Sequence, residues 1–133
     1  MHIFSAVALL VSTVQLGSAL GINCRGSGNC LGIAGNIDDL IKYADKLKDY
    51  QIFTKDKHIV CQKSQLGNGL CAFPQDTFAV TGAQVKKLLR SLKDHHCKKC
   101  GSVPVGYPGS NDPTNGILKV NAVGPGLSCN GVC

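Results

Sequence analysis

Eight cysteines limit what this chain of 133 residues can fold into, because their number is even and all of them follow residue 23. In a short chain that pattern reads as a disulfide framework. Two of the eight, Cys24 and Cys30, sit in a Gly-rich stretch near the start of the chain. Two more close the segment His95-His96-Cys97-Lys98-Lys99-Cys100-Gly101. Cross-linking these segments would tie the first to the end of the last strong helix and close everything between into one loop. The count by itself leaves the pairing of all eight open.

The redox compartment follows from residues 1–19. The apolar run from Ile3 to Leu16 is interrupted by Ser5, Ser12, Thr13 and Gln15 and is too short to span a bilayer. Gly17, Ser18 and Ala19 supply small residues, so cleavage of a signal peptide is expected after Ala19, although the n-region has no Lys or Arg. Residues 1–19 are therefore expected to be a signal peptide and 20–133 one domain of a secreted, extracellular protein, a compartment in which disulfides persist.

The formal net charge is +6, and the leader has no Lys, Arg, Asp or Glu, so that excess lies after residue 19. Every acid is Asp, and Trp is absent. Few aromatics argue against stacking on single-stranded nucleic acid or sugar rings. With no Glu and no paired carboxylates, the acid inventory is thin for glycoside hydrolysis. No nucleophile elbow or phosphate-cradling loop is present. An enzyme is not expected, and neither are a cofactor or a nucleic-acid partner.

Two helices are legible. Asn36 caps the first, with Asp38 and Asp39 in its first turn and Ile37, Leu40, Ile41, Ala44 and Leu47 on one face. Lys42, Asp45, Lys46, Lys48 and Asp49 alternate in sign on the other face and are expected to form i,i+3 and i,i+4 pairs in solvent. Thr81 and Gln84 make a capping box for the second helix, whose apolar positions are Val85, Leu88, Leu89 and Leu92. Strands are expected at His58–Gln62, Leu70–Phe73, Thr77–Val80 and Ile117–Val123. Gly67-Asn68-Gly69 makes a hairpin turn, Pro74 breaks the returning strand, and Gly101–Gly116 is a loop. The fold class is α+β: an antiparallel sheet with both amphipathic helices on one face, stapled by disulfides.

The Cys97-x-x-Cys100 segment with its adjacent histidines offers soft metal ligands. No second Cys-x-x-Cys completes a site, and Lys98 and Lys99 would repel a cation. Without a βαβ context it does not read as a redox pair either. Structural bridges to partners elsewhere are the expectation, and no metal site is assigned. The basic residues form two groups, Lys55, Lys57, His58 and Lys63, and Lys86, Lys87, Arg90 and Lys93. Either group could solubilise the surface or attract an anionic partner.

The stretch Leu20-Gly21-Ile22-Asn23-Cys24-Arg25-Gly26-Ser27, the segment His96-Cys97-Lys98-Lys99-Cys100-Gly101-Ser102, and Leu118-Lys119-Val120-Asn121 resemble the family of the virally encoded killer toxin of smut fungi, killer protein four, and its fungal relatives. The resemblance covers both ends, and residues 36 to 90 match in pattern more than in residues. It implies a two-layer α/β sandwich, an antiparallel sheet with two antiparallel amphipathic helices on one face, and the bridges Cys24–Cys97 and Cys30–Cys100. It suggests Cys61–Cys129 and leaves Cys71–Cys133, with the swap Cys61–Cys133 and Cys71–Cys129 still open. It implies inhibition of competing fungi by blocking calcium uptake, most simply through calcium channels; for this chain the expectation is a monomer that acts on fungal or plant cells at such a cell-surface target. The alternative is a non-enzymatic effector that binds cell-wall polymer or anionic lipid through the basic helix. The family's key lysine lies two positions before the cysteine that corresponds to Cys61. Here that position is Ile59.

Overall fold

The computed structural model describes residues 21–77 and 79–133. The expected signal peptide, 1–19, lies outside the described residues. In chain order the elements are α1 (Ile37–Ala44), β1 (Ile52–Thr54), β2 (Val60–Lys63), β3 (Gly69–Gln75), β4 (Ala79–Thr81), α2 (Gly82–Asp94), β5 (Gly101–Pro104), a 3-10 turn (Pro113–Asn115), β6 (Ile117–Val123) and β7 (Gly131–Val132).

Five strands form an antiparallel sheet in the order β5-β6-β3-β2-β7, and β1 pairs with β4 in a separate ribbon. Strand alternation divides the sheet's residues between two faces. Val60, Leu70, Ala72, Val103, Leu118 and Val120 face a core completed by Ile37, Leu40 and Ala44 of α1 and Val85, Leu88, Leu89 and Leu92 of α2. Both helices therefore lie on one side. The opposite side carries a smaller cluster of Cys61, Cys71 and Leu127, with Phe73, Val123 and Cys129 against it. The protein is α+β and is stapled by four disulfides.

The helix ends follow their caps. Asn36 accepts a hydrogen bond from the Asp39 N–H at 2.9 Å. Thr81 and Gln84 make both bonds of the capping box. Three segments differ from the sequence expectation. Gly101–Pro104 is a fully buried edge strand rather than loop. Its outer side exchanges two backbone hydrogen bonds with Asn23, at 3.0 and 2.8 Å. Pro104 is tolerated because an edge strand does not need every donor.

Pro74 does not end its strand but pairs with Leu118 inside β3. At that point β2 has given way to a loop that supplies only a donor, the Asp56 N–H, to the Pro74 carbonyl. The missing proline N–H thus leaves no ladder partner unsatisfied. The third difference is the expected strand at Thr77–Val80. It begins at Ala79 and joins the ribbon, and Phe78 lies outside the described residues.

The bridges are Cys24–Cys97, Cys30–Cys100, Cys61–Cys71 and Cys129–Cys133. The expectation of Cys61–Cys129 with Cys71–Cys133 is corrected, and so is its swap. Cys61 and Cys71 are direct cross-strand neighbours in the β2–β3 register, with Cα atoms 4.2 Å apart. A turn through Gly131, at φ +87°, brings Cys133 back to Cys129. The tail still reaches the same place: Cys133 Sγ lies 3.7 Å from Cys61 Sγ.

Gly82 opens α2 where it presses on the end of the α1 connection, and a Cβ there would strike the Lys48 carbonyl oxygen. Helix propensity alone favours Ala over Gly by about 1 kcal/mol. Gly82→Ala is nevertheless expected to destabilise by about 1–3 kcal/mol, because backbone must move. A urea unfolding midpoint that rises in the variant would contradict this packing.

Candidate functional site

The basic face of α2 is mostly neutralised by α1. Lys86 pairs with Asp49 at 2.9 Å, Arg90 with Asp45 at 2.8 Å and Lys93 with Asp38 at 2.8 Å. Asp38 of α1, its C-cap Asp45 and Asp49 of the segment that follows thus reach across to the antiparallel neighbour and form a ladder along α2. The expected pairs within one helix are not what holds these three acids. Of the four basic residues predicted on this helix, Lys87 alone makes no ion pair among the described residues.

The other basic group is split. Lys55 and Lys57 lie on the tight turn after β1, closed by the Lys57 N–H on the Thr54 carbonyl at 3.2 Å. Both are exposed, and Asp56 between them is held at φ +63°. Lys55 also lines a hollow of about 460 Å³ with Thr54, Asp76 and Thr77. His58 is partly buried, its ring 5.7 Å from that of Phe73. Lys63 sits at the far end of β2, roughly 15 Å away along the strand. The predicted quartet is therefore one exposed pair, one partly buried histidine and one remote lysine.

Ile59, where the resemblance places the lysine, is fully buried in the core. His95 and His96 are exposed at the end of α2, with His96 at φ +67°. Cys97 and Cys100 are bonded to Cys24 and Cys30 and cannot serve as ligands. The groups of three His or Cys that come together are His58, Cys61 and Cys71, and Cys61, Cys129 and Cys133. Their sulfurs are engaged in disulfides.

One polar group was not legible in the sequence. Lys119 Nζ donates to Ser102 Oγ at 3.0 Å and to the Arg25 carbonyl at 3.2 Å. Asn121 Oδ1 accepts from the Ser27 N–H at 3.0 Å. Lys99 Nζ donates to the carbonyls of Leu31 and Ile33. These side chains fasten the N-terminal segment over the sheet. Strand alternation marks Lys119 and Asn121 only as polar positions; nothing local indicates that a Gly-rich segment will cover them.

Burial pushes the Lys119 ammonium below its ordinary value of 10.5. The folded state therefore sheds this proton at lower pH than the unfolded chain does. Between the lowered value and 10.5 the unfolded state binds more protons, and stability rises with pH. Below that window the cost is fully present. The stability of the wild type relative to Lys119→Met should accordingly increase as pH climbs towards 10.5. Denaturant titrations of both proteins across that range check this, and a constant difference would contradict it.

With this geometry in place, comparisons with known proteins are informative. The family model Kp4 matches residues 7–124. A KP4 killer toxin of Ustilago maydis P4 virus is 36% identical over 110 residues, covering 79% of this chain and 81% of that protein. A match this long, running from residue 7 through the end of β6, places the chain in the Kp4 killer-toxin family.

Proposed function

We propose that the protein is a secreted killer toxin that slows the growth of competing fungal or plant cells by reducing calcium entry at the cell surface. The observation that carries this reading is the 36% identity, over four fifths of both chains, to a KP4 killer toxin. The physical mechanism is presentation of fixed cations to acidic groups at a channel mouth. A net charge of +6 steers the protein towards such a surface. Lys55 and Lys57 are the strongest candidates, because they project from a tight turn and form no ion pair among the described residues.

The family's lysine position cannot contribute here, since Ile59 belongs to the core. The alternative, binding of wall polymer or lipid through the basic helix, is weakened by the ladder of Asp38, Asp45 and Asp49, which occupies three of its four cations. No step of the proposed mechanism requires turnover, a metal or a cofactor.

The test is growth and calcium uptake of a panel of fungal and plant cells exposed to purified protein, with and without added calcium. Growth inhibition relieved by calcium is expected. The Lys55→Ala/Lys57→Ala variant should be about tenfold less potent at unchanged thermal stability, the equivalent of about 1.4 kcal/mol. Lys87→Ala should be close to wild type. If no cell in the panel grows more slowly or takes up less calcium, the proposal fails.

A further inference from the structure

Two large apolar side chains are almost fully exposed at the same end of the molecule. Leu31 is 92% exposed and Leu66 83%. Each occupies the tip of a tight turn. Leu31 lies in the turn closed by the Gly32 N–H on the Asn29 carbonyl, which follows the turn closed by the Cys30 N–H on the Ser27 carbonyl. Leu66 lies in the β2–β3 hairpin turn, closed by the Gly67 N–H on the Ser64 carbonyl. The two turns form opposite rims of one hollow of about 350 Å³, with Gly28, Asn29, Gly32 and Ile33 on one side and Asn68 on the other. Ala122–Pro125 forms its third wall. Exposed leucines scattered singly need no explanation, but two at the tips of turns that border one hollow can act on the same partner surface.

Charge around the patch is one-sided. The three segments that build it, residues 21–35, 57–75 and 117–133, contain no Asp or Glu. Of their cations, Arg25 and Lys63 belong to this end, whereas Lys57 lies at the other end of β2 and Lys119 is engaged with Ser102 and the Arg25 carbonyl. Lys99 is added from below, through its bonds to the Leu31 and Ile33 carbonyls. Arg25 and Lys63 are exposed. The other exposed apolar pair, Tyr50 and Ile52, follows Asp49, which is paired with Lys86.

We propose that this end of the protein docks on anionic lipid bilayers, with Leu31 and Leu66 entering the headgroup–acyl boundary and Arg25, Lys63 and Lys99 meeting lipid phosphates and carboxylates. Apolar tips flanked by cations and free of carboxylates suit that interface, where burial of apolar side chains and attraction to negative lipids add. The turns are held by Cys30–Cys100 and by the hairpin, so little ordering is required on contact. This surface is distinct from the α2 face and does not depend on calcium entry as the toxic step: a vesicle contains no protein target.

The absence of Trp makes the test direct. Leu31→Trp and Leu66→Trp each introduce a sole tryptophan at a tip. Both variants are titrated with vesicles of phosphatidylcholine alone and of phosphatidylcholine with phosphatidylserine. A blue shift with the mixed vesicles, quenched by brominated acyl chains and weakened by salt, is expected at both positions. In co-sedimentation, Leu31→Ser/Leu66→Ser should partition at least about tenfold less than wild type at equal thermal stability, with Lys63→Ala intermediate. Unshifted emission at both tips overturns the proposal. So does undiminished binding by the double serine variant, or a blue shift that appears without vesicles and scales with protein concentration, which would assign the patch to a second copy of the chain.

Discussion

The fold depends on two bridges made at one place. Cys24–Cys97 and Cys30–Cys100 join the start of the described chain to the junction between α2 and β5, across sequence separations of 73 and 70 residues. On the chain-entropy account a loop of that length contributes about 4.5 kcal/mol, comparable with the whole net stability of a small domain. The second bridge closes little additional loop. Its effect is orientational: with two anchors the Gly-rich segment cannot swing about one bond, so Asn23 can add its rung to β5 and Ser27 can reach Asn121.

The remaining bridges act differently. Cys61–Cys71 spans 10 residues within a hairpin already set by its register, and Cys129–Cys133 spans 4 within the tail. Neither restrains a long loop, so each adds mainly local rigidity. Their neighbourhood explains why spacing could not settle the pairing. Four sulfurs from three segments gather on one side of the sheet, and in sequence nothing distinguishes a neighbour across a hairpin from one delivered by the tail.

Legibility followed physical range. The helices were readable because 3.6-residue periodicity and caps are local signals: Val85, Leu88, Leu89 and Leu92 with Thr81 and Gln84 needed no partner to be identified. The hairpin at Gly67–Gly69 was readable for the same reason. β5 was not, because Gly101 and Pro104 mimic a loop and its strand character comes from β6 on one side and Asn23 on the other. The destination of the helix charges was equally hidden. Lys86, Arg90 and Lys93 look like a free basic face until the antiparallel packing of α1 is known. Of the basic quartet around β2, sequence proximity suggested a cluster that strand direction breaks up.

The burial of Ile59 has a consequence for how activity can move within such a scaffold. A lysine there would have to bring its ammonium into the apolar layer between helices and sheet, or extend its stem past it, and an isolated buried charge is costly enough to shift its own pKa and weaken the fold. Replacement of that one side chain cannot convert this chain into one bearing a cation at the position. The neighbouring core would have to change first, or β2 slip by one residue and turn every one of its side chains to the other face. Charge at this position and core packing are thereby coupled at a single site. On turns such as Thr54–Lys57, by contrast, a charge can be gained or lost without disturbing the core.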